Sequence, residues 1–161
     1  MLTSVGLCPP SVSKTAPPKD VTLSSFSSLT SLTNVHLGKS IIYRWGYSNL
    51  SFDLWMILHK QNCNAELTDV GKYLTHINRI FDEHFESMKE YKEEANFKRC
   101  LGTLTFPEVL TALSRAKAIM QRNERDGYQL AQFKGYRYYI HNPSLDLWQP
   151  IEAILSDCGL L

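Results

Sequence analysis

The fold turns on LSFDLWMILHK, residues 50–60, which together with IIYRW, residues 41–45, is rich in β-branched and aromatic side chains. Between them stands GYSN, residues 46–49, a turn containing glycine and asparagine, and the combination predicts a β-hairpin. Alternation in the second arm sets Leu50, Phe52, Leu54, Met56 and Leu58 on a core face. Ser51, Asp53, Trp55, Ile57 and His59 then fall on a mixed face that a helix or a partner covers.

Outward from this hairpin the chain divides in two. Residues 1–36 hold eight serines, five threonines and four of the seven prolines, and the repeats of SSFSSLTSLT follow neither helical nor strand spacing. Such a segment cannot bury enough apolar surface to offset the entropy of ordering it, so residues 1–37 are expected to form a flexible arm. Its Ser/Thr-rich, acid-poor character is shared with organelle transit peptides, although no arginine precedes Arg44; PPSV and KTAPP resemble short proline motifs without completing one. Residues 38–161 form one expected domain.

Two long helices are predicted in that domain. Val70, Leu74, Ile77, Phe81, His84, Met88, Tyr91 and Ala95 recur in steps of four and three, giving a long helix over residues 68–98 whose acidic opposite face is solvated. Thr105 and Glu108 fit a capping box, with Pro107 inside the first turn, and Phe106, Val109, Leu110, Leu113, Ala116 and Met120 form the buried stripe of a second helix ending near Gly127. Its remaining surface carries Arg115, Lys117, Arg122 and Arg125, the chief basic cluster.

GYQLAQFKGYRYYIHN, residues 127–142, follows as a second hairpin turning at Lys134 and Gly135. Its register puts Ala131, Phe133, Tyr136, Tyr138 and Ile140 on a core face, and Tyr128, Leu130, Gln132, Arg137, Tyr139 and His141 on a mixed face. A short helix with Leu147, Trp148, Ile151, Ile154 and Leu155 closes the chain before Gly159. The expected fold class is α+β: an antiparallel sheet from two hairpins packed against two long helices, with the Ser/Thr/Pro-rich arm attached.

At 161 residues with a formal net charge of +1, the chain has no global attraction for nucleic acid, anionic membrane or acidic partners. Cys8, Cys63, Cys100 and Cys158 stand far apart, which reads as reduced thiols, and the lack of a charged start followed by an apolar stretch at the N-terminus points to an intracellular, cytoplasmic location. His59 and Cys63 are four apart, but no second pair completes a zinc site, and no cysteine–histidine, carboxylate-pair or glycine-loop arrangement selects a catalytic centre. No enzyme, metal or cofactor is therefore expected. The reading is a non-catalytic protein-interaction or assembly module, with a protein partner or self-association through Trp55, Tyr128, Arg137 and Tyr139. No transmembrane segment is expected, and any membrane contact would be peripheral.

Two resemblances add alternatives. ERDGY and GYRYYI, after a basic helix, resemble the recognition-helix end and wing of winged-helix domains over residues 105–142. That resemblance implies nucleic-acid contacts by Arg115, Lys117, Arg122, Arg125, Lys134 and Arg137. A proline-containing arm, LSFDLWMIL, a helix opening at LTDV and a later KG-containing strand resemble the element order of rhabdovirus matrix proteins, which implies a viral structural or accessory role in assembly.

Overall fold

The structure is a computed structural model that describes residues 45–133 and 136–161, with the short segments Gly6–Leu7, Thr33–Asn34 and Lys39–Ser40. Apart from those segments, the expected flexible arm over residues 1–37 lies outside the described residues, as do residues 41–44 of the first expected hairpin.

Strand β1 (Gly6–Leu7) runs parallel to β4 (Trp45–Gly46), and β2 (Thr33–Asn34) pairs antiparallel with β3 (Lys39–Ser40). Then β5 (Ser48–Asn49) leads directly into helix α1 (Asp53–Lys60). The expected first hairpin is therefore corrected: its second arm is a helix. The reason lies in its surroundings, since every residue from Asp53 to His59 is buried, with Leu54, Met56, Ile57 and Leu58 all at 0% exposure. A segment covered on all sides has no wet face to reveal its period, so apolar spacing of two and of 3.6 look alike. Local chemistry favours the helix. Asp53 sits at its positive end and His59 and Lys60 at its negative end, while the Ser51 hydroxyl accepts from the Asp53 amide at 3.3 Å.

The expected long helix is likewise corrected, because residues 68–98 form several short pieces. A 3₁₀ turn at Val70–Lys72 is capped by the Asp69 carboxylate and runs into α2 (Tyr73–Phe81). Asp82 then takes a left-handed conformation, φ 53°, which ends the helix. Asn78 brackets the reversed chain, donating to the Phe85 carbonyl at 2.9 Å and accepting from its amide at 3.1 Å. Ser87 starts α3 (Met88–Tyr91) by accepting from the Glu90 amide, while Glu90 accepts from the Glu86 amide; α4 (Glu94–Gly102) follows. Ser87 and Glu90 thus carry the S-x-x-E start signal inside the apparently continuous stripe. The break turns Phe85 inward to meet Tyr91, which meets Phe97 in turn, and leaves His84 and Ala95 exposed, contrary to their expected place on the stripe.

Helix α5 (Phe106–Arg125) forms as expected, with the Thr105–Glu108 capping box and Pro107 in its first turn. Lys60 at the end of α1 pairs with Glu108 at 2.6 Å, and this bond, with those from Thr105, holds the Glu108 carboxyl down at about 2. Ala112, Leu113, Ala116, Ile119 and Asn123 face inward, whereas Phe106, expected in the stripe, is exposed. Strands β6 (Leu130–Phe133) and β7 (Tyr136–Tyr139) form the second hairpin, β8 (Ser144–Leu145) pairs antiparallel with β5, and α6 (Trp148–Asp157) ends the chain. The α+β class holds. Helix α1 lies at the centre, packed against α5 and α2, with β5 beside it.

Leu58→Ala empties a site with no exposed surface and is expected to cost about 2–5 kcal/mol in chemical denaturation, while Leu101→Ala, at a surface position, changes stability by less than about 0.5 kcal/mol. Comparable losses from both would contradict the central placement of α1.

Candidate functional site

The hairpin is held to the body by polar groups from two segments that sequence reading treats as punctuation, GYSN and HNPSLD. The Tyr47 amide donates to Asp146 Oδ1 at 2.6 Å, and the Tyr47 carbonyl accepts from the Asp146 and Leu147 amides at 3.0 and 3.3 Å. Asn49 Nδ2 donates to the Ile140 carbonyl at 2.9 Å, the Tyr47 hydroxyl accepts from the Tyr139 amide at 3.1 Å, and Ser144 Oγ donates to the Tyr139 carbonyl at 3.3 Å. Farther along, Asn142 Oδ1 accepts from the Leu67 amide at 2.7 Å and Asn123 Nδ2 donates to the Pro143 carbonyl at 2.9 Å. These bonds satisfy backbone groups that would otherwise be buried without partners. Beside this seam, Gly46 leaves no room for a side chain: a Cβ there would come within 2.8 Å of the Leu147 backbone.

Burial sets the electrostatics. It raises the Tyr47 hydroxyl to about 12 and lifts the Asp146 carboxyl from 3.8 to about 6, against the lowering effect of the Tyr47 amide. His59, buried with Nδ1 against the Trp55 carbonyl at 2.9 Å, is lowered by desolvation.

The hairpin register is the expected one, with Leu130 opposite Tyr139, Ala131 opposite Tyr138, Gln132 opposite Arg137 and Phe133 opposite Tyr136. Its facing departs from expectation only at the end of β7, since Leu130, Gln132 and Arg137 are exposed and Ala131 is half-buried. Tyr139 is buried at 6% exposure, Tyr138 is half-buried with its ring edge-on to Tyr47 at 6.1 Å, and Ile140 is 42% exposed. Aromatics alternate on both sides of this hairpin, so alternation alone could not rank the faces. Trp55 is also corrected, being buried in α1 with its ring edge-on to His59 at 5.0 Å. Of the four expected partner-binding residues, Tyr128 and Arg137 remain at the surface, and exposed Leu130, Ile140 and His141 join them.

The cations of the nucleic-acid alternative do not form one surface. Arg115 donates to the Leu58 carbonyl at 2.6 Å, Lys117 pairs with Glu152 and lies over the Trp148 ring, and Arg122 donates to the Asn64 carbonyl at 3.2 Å. Arg125 is exposed beside Asp126, Arg137 is exposed on β7, and Lys134 lies outside the described residues. Cys63 and Cys100 are buried thiols and Cys158 is an exposed one; among the described residues no cluster of three or more His, Cys, Asp or Glu could hold a metal ion. Among the same residues, no helix is long and apolar enough to cross a membrane.

A protein-family model described as RloB-like protein matches residues 22–154. The chain belongs to that family. No curated protein and no solved structure matches it. The RloB-like region begins within the stretch read as an arm and takes in the whole polar seam and the hairpin.

The Asp146 carboxyl gives this region of the RloB-like chain a pH signature. Because its folded value is raised, the advantage of the protonated form is fully present below about pH 4 and lost as pH rises through about 6. Asp146→Asn keeps an oxygen for the Tyr47 amide and removes the buried charge. The variant is expected to match wild type near pH 4 and to exceed it by roughly 2–3 kcal/mol at pH 7.5. A stability difference that does not change with pH would contradict the burial of this carboxyl.

Proposed function

We propose that this chain is a non-catalytic protein-interaction module whose docking surface lies on the β6–β7 hairpin, where Tyr128, Leu130 and Arg137 share one face and Ile140 stands exposed at the end of β7. The observation that carries this reading is the exposure of three large apolar side chains, Tyr128 at 39%, Leu130 at 40% and Ile140 at 42%, on a hairpin fastened along its β7 edge by side-chain bonds. A braced element that leaves apolar groups in water suits binding, because little ordering entropy remains to be lost on association. The partner it suits is a polypeptide. Nucleic-acid binding draws on several free cations, and here Arg115, Lys117 and Arg122 are turned to carbonyls, a carboxylate and a ring within the chain.

The test is affinity capture from the source cells with wild type and a Leu130→Asp, Ile140→Asp double variant, reading bound protein and bound nucleic acid together at low and high salt. Protein capture that resists salt and disappears in the double variant is the expected result. Capture dominated by nucleic acid and lost on raising salt would overturn the reading.

A further inference from the structure

The two edges of the hairpin are treated differently. The Ile140 amide bonds to the Gln129 carbonyl at 3.3 Å, which fixes Gln129 and Ile140 as a hydrogen-bonded pair. By the alternation of an antiparallel ladder, the peptide groups of Leu130 and Gln132 then point outward from β6, and those of Arg137 and Tyr139 outward from β7. On the β7 side the outward groups of Tyr139 are taken up by the Tyr47 hydroxyl and Ser144 Oγ. On the β6 side no described residue bonds to the outward groups of Leu130 or Gln132, and both residues are exposed.

This edge also lacks the usual protection. Native edge strands carry lysine, proline, inward charge or a bulge to discourage pairing, whereas YQLAQF, residues 128–133, has no charged residue and no proline, and its ladder with β7 is regular. A second copy of the chain meets no repulsion there: the facing segments are uncharged and the whole chain carries only +1.

Resting on the proposed docking surface, we propose that its occupant is β6 of a second copy, paired antiparallel about a two-fold axis with Leu130 of each copy facing Gln132 of the other. Each facing pair exchanges both of its N–H···O bonds, joining two hairpins into one four-stranded sheet and covering the Leu130 side chains. So short an edge gives a small interface, and the dimer is accordingly weak.

Gln132→Pro discriminates, because it removes an outward N–H and no N–H of the hairpin's own ladder. In sedimentation velocity across a concentration series, the full chain is expected to move from monomer to dimer as concentration rises. Gln132→Pro should remain monomeric with unchanged far-ultraviolet circular dichroism. If that variant does not fold, Leu130→Lys, which places a charge on the exposed edge, is expected to abolish the dimer with the fold intact. A wild type that stays monomeric to about 1 mM, or folded variants that dimerise as well as wild type, would overturn the inference. Salt-resistant capture of another protein by that monomer would leave the docking reading standing; absence of capture as well would remove both.

Discussion

Everything else in the described structure is arranged around the burial of α1 on every side. Its residues Leu54, Met56, Ile57 and Leu58 have no exposed surface, so α5, α2 and the strands beside them must all be present before the segment is removed from water. The polar groups at its ends follow from the same constraint. The Leu58 carbonyl, near the end of the buried helix, accepts from Arg115, and Lys60 reaches Glu108, so that the last turn of α1 is tied to the first half of α5. A basic helix that reads as a nucleic-acid surface is to this extent a helix supplying donors to its neighbours.

The second constraint is the supply of hydrogen bonds where the chain leaves regular structure. Residues 46–49 and 141–146 run side by side with only a two-residue strand in each; Asp146 accepts from the Tyr47 amide, while Tyr47, Asn49, Asn142 and Ser144 serve backbone groups of Tyr139, Ile140 and Leu67. A carboxylate in this seam is costly, as the raised Asp146 shows, and it is retained against the Tyr47 amide at the point where β5, β8 and α6 meet. The seam also gives the hairpin its asymmetry: β7 is bound to the body, and β6 is left with outward peptide groups. Membership of the RloB-like family extends across all of these parts.

Much of this architecture was legible where a signal is local. The Thr105–Glu108 capping box, the register of β6 against β7, and the closing helix depend on residues close together in the chain, and the structure has them in place. The break in the long helix was legible too, in Ser87 and Glu90, but a stripe of apolar residues at helical spacing masked it; Asp82 in a left-handed conformation and the Asn78 bracket around Phe85 give the pattern a physical interruption that spacing does not record. Of the expected surface residues, Tyr128 and Arg137 are exposed, as the hairpin's alternation placed them.

By itself the sequence determined the mixed α and β class, the span and cap of α5, and the pairing of β6 with β7, since each rests on propensity, capping or turn chemistry within a short stretch. Only the tertiary structure decided that residues 53–60 are a helix, that Trp55 and Tyr139 are core, and that Arg115, Lys117 and Arg122 are bonded to groups within the chain. A segment apolar at nearly every position has the same appearance in either conformation, and a hairpin with aromatics on both sides has no preferred face, until the elements packed against them choose which surfaces lose water.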